Sequence, residues 1–395
     1  MSTSTPSQQS SSHKIAAVSN RPLFKHRGIA WHKTAPASLR RIGREANGAG
    51  WDKWQSHLLQ RKKPHEIGRL LPDGASSLLW AFGDDESRIG LIIRLVDTKH
   101  HDTKHHHSKR RGAKRHAKAD PSSLSSNRPS TVARQVAEWI DRSDNAPLDT
   151  VAALEHLAWC HALPSLARRL DADLWWRLLQ RLVDTADEAL AADFSKHLPV
   201  EHLLVEQLAA GELPLTLAYL FPELKPCRRL RRAAKKVLSS GIIEWTDGEG
   251  MPSWATIAQL RPLMACWTRC CLLGEAAGSD CWTSEAQNQY DWMLRQAMRL
   301  TRPDGSQPLV NSPEGDWSMG LFTAAVECGA DDADRHIAHL IWPSARLRPA
   351  KPSGGRSLPD AAEHSEWAEL AAMRSGWKRT SPTLHVSYGG DALAV

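Results

Sequence analysis

The sequence predicts a mainly helical fold: an array of antiparallel helical hairpins, forming an open solenoid or a closed ring, with a β region opening near the C-terminal end. Three observations carry this expectation. Between residues 131 and 342 apolar residues recur at spacings of three and four, interrupted by short Pro-containing breaks. Two Asp-Gly turns, Thr246-Asp247-Gly248 and Pro303-Asp304-Gly305, each follow a helical segment and lie 57 residues apart, a period that suits one hairpin per repeat. Beyond residue 360 the pattern changes to a period of two.

Taken in order, residues 1–20 are Ser/Thr-rich, lack the apolar run of an export signal and are expected to be disordered. Residues 21–97 form an N-terminal lead-in with apolar patches at Trp51-Asp52-Lys53-Trp54 and at 76–96, where period does not separate helix from strand. Residues 98–130 are a basic, His-rich, low-complexity insert with almost no apolar side chain. The formal charge of +7 gathers there, between Lys99 and Lys118. The cluster His100, His101, His105, His106 and His107 could hold a transition metal and the lysines and arginines could meet a polyanion; a solvated loop without a specific ligand accounts for the same composition.

The helical domain, 131–342, opens with three amphipathic stretches: Val132, Val136, Trp139 and Ile140; Val151, Leu154, Leu157 and Ala158; Leu174, Leu178, Leu179 and Leu182. Breaks at Asn145-Ala146-Pro147, Leu163-Pro164, Leu198-Pro199, Pro222 and Pro226 leave short connections, which set successive helices antiparallel. Further helices are expected over 200–219, 227–239, 254–273, 282–300, 317–328 and 332–341. Seventeen Trp against three Tyr and five Phe suit large wedges between helices.

The seven cysteines form no CxxC pair and are odd in number, which indicates neither a disulfide framework nor a zinc knuckle. Cys266 and Cys270, one helical turn apart, could meet a metal, but with no His or Cys at ligand spacing nearby they read as reduced core thiols. No stretch reaches the ~18 apolar residues of a membrane span. A Pro/Gly-rich linker, 343–359, leads to residues 360–395, where Thr383, His385 and Ser387 alternate with Leu384, Val386 and Tyr388. So few strands cannot bury a sheet of their own, so these residues are expected to begin a β domain that the chain leaves incomplete.

With its DG turns, its linker and the element MRSGW at Met373 to Trp377, the stretch 171–395 resembles the heparinase II/III-like proteins. The segments EHLLVEQLAAGELPLTLAYLFPEL and IEWTDGEG are similar to that family's toroid stretch, and MRSGW to the segment that opens its sandwich. The resemblance implies an incomplete α/α toroid followed by the first strands of a C-terminal antiparallel β-sandwich. It implies a polysaccharide lyase acting by β-elimination on uronic-acid-containing glycans, or a non-catalytic glycan-binding relative, in a periplasmic or secreted setting. The expected partner is an acidic polysaccharide; no cofactor is expected, with a metal in the incomplete sandwich left open. A helical-repeat interaction protein that binds polyanions through the basic insert is the alternative, and nucleic-acid binding by 99–118 rests on charge alone. The oligomeric state is left open.

β-Elimination removes a proton next to a carboxylate, so the carboxylate charge must be offset before a positioned base can act. The resemblance implies Asn-His in the toroid, Tyr-His after the DG turn and a sandwich histidine. Here Glu201-His202 stand at the first pair, making His202 and Glu201 the candidate catalytic residues, although a glutamate repels a uronate where an asparagine would not. Ile257-Ala258 stand at the second pair, and His385 is the partial substitute for the sandwich histidine. Candidate substrate-binding residues are Trp245, Asp247, Trp254 and Trp317, at hairpin ends that would rim a cleft, with Arg228 and Arg232 on a basic helix face. A core position, a turn or a solvated face explains each of them equally simply, and Glu206 and Glu212 read as solvent-facing.

Overall fold

The helix boundaries follow from short polar residues placed ahead of apolar runs. The computed structural model of the chain describes residues 24–25, 28–42, 49–61, 67–82, 89–90, 92, 131–144, 146–192, 200–310, 317–349 and 357–389. The N-terminal twenty residues, the His-rich insert, the Leu198-Pro199 break and residues 350–356 of the linker lie outside the described residues.

Two short strands, β1 (Phe24–Lys25) and β2 (Gly28–Ile29), precede α1 (Ala37–Arg40), α2 (Ala49–Leu59), α3 (Ile67–Leu70) and a 3-10 turn at Gly74–Leu79. Then follow α4 (Thr131–Ser143), α5 (Thr150–Leu166) and α6 (Ala172–Ala191). Next are α7 (Val200–Glu206), α8 (Leu213–Leu220), α9 (Lys225–Glu244) and α10 (Leu260–Ala277). The helical part closes with α11 (Ser284–Arg299), α12 (Met319–Gly329) and α13 (Asp332–Ile341). Asp149, Asp171, Thr283, Ser318 and Asp331 cap α5, α6, α11, α12 and α13, each side chain accepting from the N–H three residues on. Pro164 does not break the chain as expected; it sits inside the last turns of α5, where only the bond from its own nitrogen is lost.

The centre of the fold is the run from Val200 to Leu220. Between α7 and α8 it widens into a π turn at Gln207–Glu212, directly before Pro214, which has no N–H to donate to the Ala210 carbonyl. This run packs against α5, α6, α9 and α10. The stretch from His202 to Leu220 is long and apolar enough to cross a membrane by length and composition, contrary to the sequence reading. With 83% of it buried inside the protein, a core helix that is apolar all round explains its composition.

The lead-in is part of the same core. Trp54 stacks on Trp176 with ring centroids 5.9 Å apart and meets Trp175 edge-on at 6.0 Å. Lys225 N–H donates to the Ala30 carbonyl at 2.9 Å. The tryptophans thus act mainly as the wedges their number suggested.

Near the C-terminal end, β3 (Glu363–Ser365), β4 (Leu370–Arg374) and β5 (Thr383–Ser387) form one antiparallel sheet in the order β3-β4-β5. Glu363 faces Ala372, and Ala372 faces His385. Leu370, Ala372, Arg374, His385 and Ser387 are buried. β4 packs against α11, so the helical body supplies the second layer that a sheet this small needs. Met373 and Leu384, cross-strand neighbours, stay exposed.

Candidate functional site

Helical body and sheet meet at the turn between β3 and β4. The Ala368 carbonyl accepts from the Trp254 N–H at 2.9 Å, and the Glu369 carbonyl accepts from the Tyr388 N–H at 3.1 Å. Glu369 itself has a left-handed backbone with φ +53, a conformation that a non-glycine residue adopts only when its surroundings hold it there. Three exposed aromatic residues are tied to this turn: Trp367, 55% exposed, lies on it, and Trp254 at 37% and Tyr388 at 40% exposure are bonded to it through their backbone N–H groups. Gly389 lies so close to this group that a Cβ would collide with Trp254 Nε1 and a Glu369 carboxylate oxygen.

Tyr388 is held from two sides. Its hydroxyl donates to the Ser365 carbonyl at 3.1 Å and lies 2.9 Å from His364 Nε2. Partial desolvation and the carboxylates of Glu366 and Glu369 push the phenol up, so at neutral pH it is a hydrogen-bond donor and a poor base. Glu363 pairs with Arg299 at 3.5 Å; Glu366 and Glu369 sit on the turn itself. The surroundings of the aromatic group are therefore acidic.

The sequence-derived candidates separate into three places. Trp254 is at the junction, and α7, which carries the exposed His202, packs beside the Trp254–Gln259 turn. The Glu201 side chain lies outside the described residues. Arg228 and Arg232 are exposed on α9, Arg228 donating to Thr34 Oγ1 at 3.2 Å.

Trp245 and Trp317 are not open stacking faces. Trp245 is half-buried against Trp267, centroids 5.8 Å apart. Trp317 is only 5% exposed, donates to Thr301 Oγ1 at 3.0 Å and is covered by the Arg261 guanidinium 5.1 Å above its ring. Asp247 is a turn-former: its Oδ1 accepts from Glu249 N–H at 2.9 Å and Met251 N–H at 2.8 Å. His385 does not stand in for a sandwich histidine either. It is buried, its Nε2 lies 3.0 Å from the Arg299 carbonyl, and burial lowers its pKa, so the neutral ring donates there and fastens β5 to α11.

Glu212 corrects the solvent-facing expectation. It is completely buried at the end of the π turn, paired with Arg269 on α10. Cys266 and Cys270 converge on the same carboxylate, their sulfurs and a Glu212 oxygen lying within 4.8 Å of one another. Both Glu212 oxygens are already bound by the guanidinium, so a metal there would have to displace a cation; this cluster is structural.

Trp367, His364 and Tyr388 are not among the sequence-derived candidates. Only Trp367, shortly before MRSGW, and Tyr388, within the strand alternation, left a trace in the sequence, and neither pattern shows that the two meet at one turn. No protein-family model, curated protein or solved structure matches this chain.

Proposed function

We propose that the chain binds a carbohydrate across the aromatic turn at the junction of helices and sheet, as a glycan-binding relative of the heparinase II/III-like proteins. The observation that carries this reading is that Trp254 and Tyr388, both exposed, are hydrogen-bonded through their backbones to the turn that bears the exposed Trp367. Sugar rings stack on such amphipathic rings, while Glu366, Glu369 and the His364–Tyr388 pair offer acceptors and donors to hydroxyls. The acidic rim favours a neutral or amino-sugar chain over the uronate polymer expected from the sequence. The mainly helical body and the sheet containing Leu370 to Arg374 support an α/α toroid and the start of a β-sandwich as the underlying architecture.

β-Elimination is a second reading, favoured by the His364–Tyr388 pair, since Tyr and His are the residue types that chemistry uses. A protonated Tyr388 suits donation to a leaving oxygen and leaves the base unassigned.

Binding of the full chain to immobilised neutral, amino-sugar and uronate polysaccharides separates these readings. Stacking predicts retention on a neutral or amino-sugar polymer and a loss of about tenfold in Trp254→Ala and Trp367→Ala. Unchanged affinity in both variants would remove the site. New ultraviolet absorbance from unsaturated uronate would instead establish elimination.

A further inference from the structure

Cysteines that are far apart in sequence meet at a surface cavity away from the aromatic turn. Cys271 lies on α10 with Glu275 one helical turn further along the same face. α10 stops at Gly278, whose φ of +63 reverses the chain and returns Cys281 towards the helix. The return is close: a Cβ on Gly274 would stand 3.2 Å from the Cys281 nitrogen. Cys328 arrives from α12, which packs against α10. Cys271, Glu275, Cys281 and Cys328, with Trp282 and Gln287, line a cavity of 540 Å³.

The Cys271 and Cys328 sulfurs and a Glu275 carboxylate oxygen lie within 4.8 Å of one another. Cys281 and Cys328 are the neighbours that act on the Cys271 sulfur and lower its pKa. All three cysteines are free.

We propose that Cys271, Cys281, Cys328 and Glu275 form a binding site for a single thiophilic divalent cation, with Zn²⁺ the ion they suit. Three sulfurs and one carboxylate oxygen make a tetrahedral set of the kind zinc takes and hard cations avoid. Zn–S bonds of about 2.3 Å at tetrahedral angles require sulfurs about 3.8 Å apart, so the Cys271 and Cys328 sulfurs need close by no more than about 1 Å, and Cys281, on the wall of the same cavity, moves in to complete the set. On binding, the cysteine ligands enter as thiolates and their thiol protons pass to solvent. Arg348 and Lys235, whose charges act on Glu275 and Cys281, offset part of the negative charge. The contrast with Glu212, Cys266 and Cys270 is direct: there Arg269 occupies the carboxylate, whereas Glu275 is exposed at the cavity. This site is independent of the glycan reading.

The test is titration of the full, reduced, metal-free chain with Co²⁺ followed by Zn²⁺. One equivalent of Co²⁺ should give a near-ultraviolet sulfur-to-cobalt band with the strong visible bands of tetrahedral cobalt, and one equivalent of Zn²⁺ should erase both. The His-rich segment at 100–107 contains no sulfur and cannot produce the charge-transfer band. Cys271→Ser and Cys328→Ser should lose the band, and Glu275→Gln should keep it while weakening Zn²⁺ by at least about tenfold. Should the serine variants not fold, alkylation of the wild type gives the same answer: Zn²⁺ should protect Cys328 from iodoacetamide, read by mass spectrometry. Absence of the band in the wild type, a band undiminished in both serine variants, or equal alkylation with and without Zn²⁺ overturns the site.

Discussion

Arg269 and Glu212 face each other at the centre of the fold as a bidentate pair, Nε to Oε1 at 2.6 Å and Nη2 to Oε2 at 2.7 Å, with neither side chain exposed. The remaining Nη1 donates to the Ser77 carbonyl at 3.2 Å, so one guanidinium joins α10, the π turn and the N-terminal lead-in. Burying two charges is unfavourable unless both are fully satisfied, and losing one partner strands the other. Glu212→Gln and Arg269→Met are each expected to destabilise the chain by about 3–5 kcal/mol, and the pair Glu212→Leu with Arg269→Met by less than either alone. Urea unfolding measures this; single-variant losses near those of a surface ion pair would show that the pair does not hold the centre.

His161 lies in the same interior without a hydrogen-bond partner on either ring nitrogen, and burial, then the Arg269 charge, lowers its pKa to about 3. Its folded pKa is below the unfolded value, so its contribution is present above about pH 6.5 and is lost as pH falls towards 3. His161→Leu removes no hydrogen bond and should flatten the stability profile between those limits, with little change at pH 8. Thermal unfolding across pH tests it; a variant curve parallel to the wild type would mean that the ring is already charged or solvated.

These central groups show how far the sequence could be read. Periodicity located the run from Val200 onward and fixed the last helix at Asp332–Ile341, because both depend on neighbours three and four residues apart. Glu212 was misplaced because its partner is 57 residues away and the π turn shifts the helical register between Glu206 and Leu213. Cys271 and Cys328 escaped for the same reason: they approach through packing of α10 on α12, which no local spacing records. Of the aromatics expected at hairpin ends, Trp254 is the one whose ring is exposed. The same rule failed for Trp317, where Arg261 and Thr301 from other elements cover the ring.

Asp291 supplies a pH response of opposite sign. Burial, opposed by the Gln287 hydrogen bond and reinforced by Asp334, raises its carboxyl to about 7. Its contribution to stability is therefore full below about pH 3.8 and is lost as pH rises through 7. Asp291→Asn still accepts from Gln287 Nε2, a bond of 2.7 Å, and should be more stable than the wild type at pH 8, with the advantage shrinking to nothing near pH 4. Denaturation midpoints of both proteins at several pH values check this; a constant difference would place the titration elsewhere.

If the proposed carbohydrate surface is right, Trp254 and Trp317 separate recognition from packing within one chain. Trp317 is buried against Phe322 with centroids 5.5 Å apart, so Trp317→Ala leaves a cavity, removes one hydrogen bond to Thr301 and is expected to cost about 3–5 kcal/mol. Trp254 keeps its backbone bond to Ala368 whatever its side chain, and with more than a third of its surface exposed its replacement by Ala should cost about 1 kcal/mol or less. Glycan affinity should show the reverse order when measured well below either melting temperature: about tenfold weaker in Trp254→Ala and unchanged in Trp317→Ala. Equal losses of affinity in the two variants would mean that binding follows general stability, and the aromatic turn would then have no claim to be the surface that meets the sugar.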